Sequence, residues 1–449
     1  MSAVLHRLRG IDEVLRAARP ERVGEVDAIV GLGLDVRGVG AALGDLLLVG
    51  DGPGLRAEVV AVSSDVVRAM PLDAMIGVAA GTPVRATGGA LRIPVGEGLL
   101  GRVVDAAGTP IDGRGPLGSV HPVSVDAAAP SPVGRTRIEL PLPLGVRVLD
   151  TLTTVGRGQR IGLFAGSGVG KSSLLSMIAR GTEAEVAVIA LVGERGREVR
   201  EFLEEDLGPA GLARSVVVVA TADQPALLRV RAAFTATRIA EELRAQGRHA
   251  MLMMDSLTRV AFAQREIGLS AGEPPATRGY PPSTFAMLAR LLERAGTAER
   301  GSITGVYTVL VDGDDHNEPI ADAARSILDG HVVLDRALAV AGHFPSVDAL
   351  GSVSRVAPRV TSPEQRAAAT ALRRVLAARR RAQDLIDVGA YQPGADPLVD
   401  AALAHDAAIA GFLQQGMDER ATAGASWARL GELVAVLAGG ANGIGGMAA

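Results

Sequence analysis

The sequence has no cysteine, few aromatic residues and no long apolar run. Without cysteine the chain cannot form disulfides or thiolate metal sites, which is consistent with a reducing compartment. Aromatic residues make up 2% of a chain that is 48% hydrophobic, so the core must be built from valine, leucine, isoleucine and alanine. No run of about 18 or more strongly apolar residues occurs, and we expect no transmembrane helix. The first 20 residues also lack the apolar segment of a signal peptide.

Length and charge narrow the class of protein further. A chain of 449 residues exceeds the size at which single cores stop growing, about 250–300 residues, so we expect two or three domains. The net charge of −4 disfavours a nucleic-acid partner, because such proteins usually carry a basic surface. Residues 433–449 are uncharged and mostly glycine and alanine. We expect them to form a frayed terminus rather than a membrane anchor.

The N-terminal part of the chain divides into two segments. Apolar residues at helical spacing predict an amphipathic helix over residues 1–20. This helix would either dock on its own domain or serve as an arm for a partner or a membrane surface. Residues 21–92 contain short apolar runs separated by glycine, proline and aspartate turns, which predicts a small β-barrel.

The rest of the chain is predicted to be an α/β domain followed by helices. The predicted domain covers residues 93–361 and begins with a glycine- and proline-rich connection. From about residue 145 short apolar runs alternate with helical stretches, which indicates a mostly parallel, doubly wound sheet that binds ligands at the carboxyl ends of its strands. The clearest predicted strands are residues 161–164, 186–192, 216–220, 250–254 and 303–310.

Residues 362 to about 440 carry only helical signals, which predicts a helical C-terminal domain over residues 362–449. Pro363 lies near the first helical turn, Leu372, Val375 and Leu385 form an apolar stripe, and residues 389–397 interrupt the helices.

A glycine-rich segment, AGSGVGKSS, lies between a predicted strand and a predicted helix. This is the context of the Walker phosphate loop, in which backbone N–H groups and the positive end of the helix bind phosphate. Lys171 would reach the β- and γ-phosphates, and the Ser172 hydroxyl would bind Mg²⁺. The strict motif begins with glycine, so Ala165 requires a negative φ; the alternative is a chance glycine-rich turn. The predicted phosphate-binding residues are Gly166, Ser167, Gly168, Val169, Gly170, Lys171, Ser172 and Ser173.

Two acidic residues follow predicted strands. Asp255 comes directly after residues 250–254, which is the Walker B arrangement for holding Mg²⁺ from a second side. The alternative for Asp255 is a helix cap. Glu194 follows residues 186–192, where it could orient the attacking water; the alternative is a solvated loop charge.

The residues after Glu194 are also charged. Arg195 and Arg197 would bind phosphate or pair with nearby acids, and Glu198 is expected to have a structural role.

Several longer motifs occur together in this chain. They are FAGSGVGKSS at residues 164–173, GERGREV at 193–199, MDSLTR at 254–259, QREIGLSAGEPPATRGYPP at 264–282, YTVL at 307–310, GDD at 313–315, EPI at 318–320 and ILDGH at 327–331. In this order they resemble those of the flagellar type III protein-export ATPases and their injectisome counterparts, relatives of the catalytic head of rotary ATP synthases. The resemblance covers nearly the whole chain beyond residue 20 and implies a RecA-like central domain.

The resemblance implies roles for individual residues. Glu194 matches the catalytic glutamate that activates water, with Arg195 beside it. Arg355 matches an arginine finger that acts on the nucleotide of the neighbouring subunit, although by itself it would be read as an ordinary surface arginine. The remaining implied nucleotide contacts are Phe344 and Pro345 beside the adenine, for which the alternative is core packing, and Tyr391 and Gln392 on its other side.

The resemblance also implies an assembly, cofactors and partners. The family forms rings, usually hexamers, that use Mg²⁺ and ATP at sites between subunits. Because this chain carries both halves of such a site, a homohexamer suffices. The implied partners are a regulatory stator-like protein at the N-terminal arm, a coiled-coil stalk protein in the ring centre, chaperone–substrate complexes and a membrane export gate. The implied location is the cytoplasm, peripherally at the inner face of the cell membrane.

Three alternatives stay open at this stage. The loop FAGSGVGKS and residues 389–396 favour flagellar over injectisome export. A ring-shaped nucleic-acid translocase shares the ATPase core, but residues 22–90 contain no Trp, Tyr or Phe for stacking bases. A non-catalytic ring subunit would lack the catalytic glutamate, which is present here as Glu194.

Overall fold

The computed structural model describes residues 22–52, 54–311 and 318–440. The predicted helix over residues 1–20 and the GDD motif at 313–315 lie outside the described residues. The chain divides into two compact units, one of which extends to Leu91 and also contains Ile267–Glu273, while the other contains Arg92–Glu266 and the residues from Pro274 onward.

The first unit contains a closed β-barrel, as the sequence predicts. Its six antiparallel strands are joined in the order β1-β2-β5-β4-β3-β6. Aliphatic side chains such as Val26, Leu34 and Leu47 fill the interior, because alternate residues of a strand point to the same face. The strands are β1 Val23–Val30, β2 Gly33–Arg37, β3 Asp45–Val49, β4 Leu55–Val62, β5 Val67–Pro71 and β6 Pro83–Ala90.

The second unit is organised by a mostly parallel nine-stranded sheet with the path β17-β16-β10-β15-β13-β11-β12-β8 and β14 beside β15. Within this sheet only β14 and β17 pair in the antiparallel sense. Strands β7 and β9 form a separate antiparallel pair. The five predicted strands are confirmed, each one or two residues longer than predicted. The strands are β7 Arg92–Val95, β8 Val103–Asp105, β9 His121–Ser124, β10 Arg160–Ala165, β11 Val186–Glu194, β12 Ser215–Thr221, β13 His249–Asp255, β14 Gly296–Thr297, β15 Ser302–Leu310, β16 Gly330–Val333 and β17 Val353–Ser354.

Helices cover the sheet and form the C-terminal region. A π-helix, Phe202–Leu207, links the α-helices Gly196–Glu201 and Gly208–Ala213. Short 3₁₀ turns span Glu97–Leu99 and Thr277–Gly279. The α-helices are α1 Arg147–Leu152, α2 Lys171–Gly181, α3 Gly196–Glu201, α4 Gly208–Ala213, α5 Ala226–Ala245, α6 Leu257–Ser270, α7 Pro282–Glu293, α8 Pro319–Ile327, α9 Arg336–Val340, α10 Ala357–Val360, α11 Pro363–Asp387, α12 Pro397–Ala404, α13 Asp406–Leu413 and α14 Ala423–Gly440. In the part of the chain that the structure describes, no helix combines the length and apolarity needed to cross a bilayer.

Two C-terminal expectations are corrected. Helix α11 begins at Pro363 after a Ser362–Gln365 capping box, as predicted, but Leu385 is 51% exposed. The buried stripe continues instead through Ala378 and Ala382, which keep helical spacing from Val375. Residues 433–440 are not frayed, since they form the last turns of α14, where Leu433 and Leu437 are buried.

The core of the sheet continues into the C-terminal helices. One apolar cluster contains Leu174 of α2, Ile189 of β11, Leu372 of α11 and Phe412 of α13. The segment that follows β10 and the C-terminal helices are therefore packed on a shared core.

Candidate active site

The phosphate loop connects β10 to α2, as the sequence predicts. Gly168 and Gly170 have φ angles of 75° and 89°, which glycine adopts without strain. Ala165 is buried as the last residue of β10, and Ser119 and Arg278 are the non-glycine residues with positive φ in the described part of the chain. The negative φ required of Ala165 is therefore met. The loop opens into a cleft of about 710 Å³ whose lining includes Ser172, Ser173 and Glu194.

Lys171, which lines this cleft, contacts both of the predicted acids. Its Nζ lies 2.5 Å from Asp255 Oδ1 and 3.3 Å from Glu194 Oε1. All three side chains are largely buried, with exposed fractions of 14% for Lys171 and 9% for each acid. An ammonium group in a partly desolvated site is a strong ligand for the anionic oxygens of a nucleotide.

Asp255 contacts Lys171 and Thr308 rather than capping the following helix. Its Oδ1 accepts a hydrogen bond of 2.7 Å from Thr308 Oγ1 in addition to the contact with Lys171. The Arg259 N–H in the first turn of α6 donates instead to Ser256 Oγ, at 3.3 Å. The helix-cap alternative for Asp255 therefore finds no support in these contacts.

Glu194 is a buried carboxyl at the end of β11, which contradicts the alternative of a solvated loop charge. Arg259 Nη1 lies 2.6 Å from its Oε2. Burial, a hydrogen bond to Glu198 and the charge of Asp255 raise the pKa of Glu194 to about 7, against the opposing charges of Lys171 and Arg259. A carboxyl with a pKa near neutrality is suited to accept a proton during catalysis.

The structure gives Glu198 and Arg259 a place in the site that the sequence did not predict. Glu198 lines the cleft, and its hydrogen bond with Glu194 lowers the pKa of Glu198. Arg259 also donates to the Gly193 carbonyl, so it holds both the backbone and the carboxylate at the end of β11. The only signal in the sequence is that Arg259 follows Asp255 by about one helical turn.

Arg195 and Arg197 are exposed and pair with acids on the same turn of helix. Arg195 lies 3.5 Å from Glu198, and Arg197 lies 3.3 Å from Glu201. The sequence leaves two roles open for these arginines, phosphate binding and pairing with acids. In the structure both arginines pair with acids.

Phe344 lies against the phosphate loop. It is 44% exposed, which argues against core packing, whereas Pro345 is buried. A Cβ built on Gly170 would lie 3.3 Å from the Phe344 ring. Ser346 Oγ donates a hydrogen bond of 2.5 Å to the Val169 carbonyl and so holds this segment beside the loop.

Tyr391 and Gln392 make no contact with the loop among the hydrogen bonds of the described residues. The Tyr391 hydroxyl lies 3.1 Å from the carbonyl of Asp396, the residue that caps α12, and 3.0 Å from Oδ1 of Asp400 within α12. Gln392 is exposed.

Arg355 is exposed just beyond β17 and its contacts lie away from the Lys171 cluster. Its N–H donates to the Asp329 carbonyl at 3.0 Å, and its Nη2 lies 3.4 Å from the Arg325 carbonyl. The predicted site residues of one chain therefore form two groups, with Lys171, Glu194 and Asp255 in one and Arg355 in the other.

An aromatic wall that the sequence did not predict borders the cleft. The Phe262 and Tyr280 rings stack with centroids 6.2 Å apart and an interplanar angle of 7°. The Arg265 guanidinium lies 5.3 Å from the Tyr280 centroid, and the Tyr280 hydroxyl lies 3.3 Å from Glu318 Oε1.

Comparison with known proteins assigns each part of the chain to a family. Residues 26–88 match the ATP synthase alpha/beta family β-barrel domain, and residues 145–354 match the nucleotide-binding domain of that family. Residues 361–432 match the C-terminal domain of the EscN-type ATPase of type III secretion systems. The flagellum-specific ATP synthase of Bacillus subtilis is 53% identical over 405 residues, which cover 89% of this chain and 92% of that protein.

The likeness extends to injectisome proteins. The type 3 secretion system ATPase of Xanthomonas euvesicatoria is 49% identical, with 91% of this chain and 93% of that protein covered. The chain belongs to the family of flagellar and type III secretion ATPases. The assembled ATPase EscN of enteropathogenic E. coli, at 43% identity, superposes with a TM-score of 0.88 over 92% of this chain and all of that chain.

Family membership settles the reaction and the fold class. The chain is an ATP-hydrolysing enzyme of flagellar or injectisome type III secretion, with a nucleotide-binding domain between a β-barrel and a helical region. The nucleic-acid translocase and the non-catalytic ring subunit are accordingly set aside.

Proposed function

We propose that this chain hydrolyses Mg·ATP at the Lys171–Asp255–Glu194 cluster, that Arg355 of a neighbouring copy completes the site, and that the reaction energises flagellar protein export. The observation that carries the proposal is the contact of one loop lysine, which lines the cleft, with two buried carboxylates. This arrangement provides a phosphate ligand, a metal ligand and a base in one place.

On the side of the loop, Lys171 binds the β- and γ-phosphates together with the N–H groups of residues 166–173. Ser172 and Asp255 would hold Mg²⁺ through two oxygen ligands, and one or two protein ligands suit this ion. When bound, the ion neutralises charge on the phosphates. Thr308 keeps the Asp255 carboxylate oriented by its hydrogen bond of 2.7 Å.

Glu194 accepts the proton of the water that attacks the γ-phosphorus, as the bond to the β-phosphate oxygen breaks. Arg259 orients the Glu194 carboxylate through the contact of 2.6 Å. Arg195, at the N-terminus of the short helix α3, can exchange its partner Glu198 for a phosphate oxygen. At the adenine end of the nucleotide, Phe344 and Pro345 lie beside the adenine ring. Tyr391 and Gln392 would have to approach the ring from the C-terminal helices.

Arg355 acts on the nucleotide of the adjacent subunit in a homohexamer. Its exposure and its separation from the Lys171 cluster support this assignment. An arginine that neutralises the transferring phosphoryl group is worth roughly 10³–10⁵ in rate.

Mixing two inactive variants tests this arrangement in trans. We expect the Lys171→Ala protein to lose nucleotide binding or hydrolysis. We expect the Arg355→Ala protein to have a lower kcat but to bind nucleotide as before. Rings that contain both variants should regain activity, because the intact loop of one variant meets the intact Arg355 of the other. Arg359→Ala, which changes an exposed arginine on the neighbouring helix α10, is the control and should retain full turnover. Absence of recovery in verified mixed rings would refute action in trans.

The flagellar assignment rests on the loop FAGSGVGKS and on residues 389–396. Injectisome export is the alternative, since relatives of both kinds are about equally similar. Deleting the gene and scoring motility decides between them: a non-motile strain supports flagellar export, and a fully motile strain refutes it.

In the cell, the proposed task is to release export substrates from chaperones and unfold them at the membrane export gate. The expected partners are a stator-like regulator at residues 1–20, chaperone–substrate complexes, and a coiled-coil stalk in the ring centre. A solved relative, EscN, was captured in complex with its central stalk EscO. We place the ring in the cytoplasm, at the inner face of the cell membrane.

A further inference from the structure

A buried glutamine connects the strand that carries the phosphate loop with the segment that carries Arg355. Gln159 is 0% exposed and immediately precedes β10. Its Nε2 donates to the Asp329 carbonyl and to Ser354 Oγ, both at 3.1 Å. Its Oε1 accepts from the Gly156 N–H at 2.9 Å, which fixes the orientation of the amide. The amide nitrogen and the amide oxygen of the side chain are thus both hydrogen-bonded, as burial of an amide requires.

The two acceptors of Gln159 are the groups that hold the backbone of Arg355. The Asp329 carbonyl also accepts the Arg355 N–H, at 3.0 Å. Ser354 directly precedes Arg355 and donates its hydroxyl to the Thr154 carbonyl at 2.7 Å. Arg355 is therefore held through one carbonyl and one neighbouring hydroxyl, and Gln159 is bonded to both.

The close packing around Gln159 and Ser354 leaves little room for β17 to shift independently of β10. Gly330 pairs with Ser354 across the β16–β17 ladder. A Cβ on Gly330 would lie 3.1 Å from Ser354 Cα and 3.2 Å from Gln159 Nε2. Next to Gln159, the Arg160 N–H donates to Asp329 Oδ2 at 3.0 Å, and the Asp329 N–H donates to the Arg160 carbonyl at 2.8 Å. Residues 159–160 thus hold Asp329 by its backbone and by its side chain.

We propose that Gln159 is a positioning residue for Arg355. Through Gln159, the strand before the phosphate loop of one subunit is coupled to the arginine that the same subunit presents to its neighbour. The inference rests on the proposed action of Arg355 in trans. A displacement of β10 moves Gln159, and with it the carbonyl and the hydroxyl that hold Arg355. Because rate depends steeply on the geometry of a catalytic group, with a misplacement of 1 Å costing up to about 10²-fold, a small loss of positioning is measurable.

The test replaces Gln159 by methionine, which keeps its length and removes its hydrogen bonds. We expect Gln159→Met to lower kcat about tenfold while KM for Mg·ATP stays within about twofold, since the variant keeps its own loop. Ser354→Ala, which removes the other half of the contact, should lower kcat in the same way. Thr304→Val is the matched control. Thr304 is equally buried and accepts a hydrogen bond of 2.8 Å from the N–H of Gly158, which directly precedes Gln159. Thr304 forms no hydrogen bond with Asp329 or Ser354 among those of the described residues.

Mixed rings separate positioning of Arg355 from damage to the loop. Gln159→Met protein should recover activity when mixed with Lys171→Ala protein, which supplies an intact Arg355, and should not recover with Arg355→Ala protein. Thr304→Val should turn over like the unmodified protein. Ring mass and the thermal midpoint establish that each variant is folded and assembled.

Three outcomes would overturn the inference. The first is a kcat within twofold of the unmodified protein for both Gln159→Met and Ser354→Ala. The second is a loss that Lys171→Ala protein does not restore although it restores Arg355→Ala, which would place the damage in the variant's own loop. The third is normal turnover of Arg355→Ala itself, which would refute the proposed arginine finger and leave Gln159 with nothing to position.

Discussion

At the scale of single residues, the site is governed by charges that balance one another in a poorly hydrated cleft. Lys171 contacts Asp255 and Glu194, and Arg259 contacts Glu194 from the other side. Each carboxylate therefore has a cation beside it, which reduces the cost of burying it. In the proposed site, phosphate oxygens would compete for the same lysine, so nucleotide binding would change the surroundings of both acids.

The first prediction concerns Glu194→Gln. The amide keeps the size and most of the hydrogen bonding of the carboxyl but cannot accept a proton at neutral pH. We expect nucleotide affinity to stay within a few-fold of the unmodified protein and turnover to fall by at least about 10², as expected for loss of a general base. Equilibrium binding of a fluorescent ATP analogue and steady-state phosphate release measure the two effects. Normal turnover would refute the role of Glu194.

The second prediction is a pH dependence that originates in Glu194. Burial, the hydrogen bond to Glu198 and the charge of Asp255 raise the pKa of Glu194 to about 7. Since the deprotonated form is the base, kcat/KM should fall as the pH decreases through about 7. Glu198→Gln should move the midpoint to lower pH, because it removes the carboxylate that accepts the Glu194 proton. A flat profile between pH 6 and 8, or a midpoint unaffected by Glu198→Gln, would contradict this explanation.

At the scale of secondary-structure elements, the phosphate-loop helix ends against a tight glycine contact. Gly181 is the last residue of α2, and a Cβ built on it would lie 2.6 Å from the Leu144 carbonyl oxygen and 3.0 Å from Gly145 Cα. The obstacles are backbone atoms, which cannot move aside as a flexible side chain can. Gly145 itself has a φ of 74°. The end of α2 is therefore positioned by backbone packing.

The third prediction follows from this contact. Gly181→Ala should destabilise the protein by about 1–3 kcal/mol, the usual cost of overpacking. Gly431→Ala is the control, because Gly431 lies inside α14 and a Cβ there has no atom within 4 Å. That substitution should instead stabilise the protein by about 0.5–1 kcal/mol through helix propensity. Denaturant unfolding of the three proteins measures both; equal stability of Gly181→Ala and the parent would contradict the packing argument.

At the scale of the whole molecule, the C-terminal helices are bonded to the segment that supports the phosphate-loop helix. Gln415 accepts the Arg147 N–H at 2.8 Å and donates to the Gly145 carbonyl at 2.9 Å. The buried Arg147 guanidinium donates to the carbonyls of Phe412 and Gln414 at 3.0 and 2.9 Å, and it also pairs with Glu419. Movement of the C-terminal helices would therefore be transmitted to the end of α2.

The fourth prediction concerns assembly. If Arg355 acts on a neighbouring subunit, an isolated chain has an incomplete site, and activity per chain should rise with protein concentration. We expect a rise of about tenfold or more across the assembly range, which is well below the roughly 10³–10⁵ that an arginine finger can supply. The Arg355→Ala protein should stay at the low level throughout, whereas Arg359→Ala should follow the unmodified protein. Concentration-independent activity would refute a site shared between subunits.

The local elements of this protein can be predicted from its sequence alone. Residues 161–165 are apolar because a central parallel strand is buried on both faces, and the glycines after them are needed for the turn into α2. Asp255 and Glu194 could be found because they follow such strands directly, and the carboxyl ends of parallel strands lie at one edge of the sheet. These features depend on neighbours within a few residues, which the sequence displays.

Contacts between side chains that are distant in the sequence depend on how the whole chain folds. Thr308 and Asp255 are 53 positions apart, and Gln159 and Ser354 are 195 apart, so their hydrogen bonds depend on the strand order and register of the sheet. The same holds for Leu385, whose apolar character predicted burial but whose helix turns it toward solvent. The periodicity of the sequence indicates whether a residue lies on a strand or a helix. The neighbour that the residue packs against depends on the path of the whole chain, because each such contact forms only when every intervening element is in place.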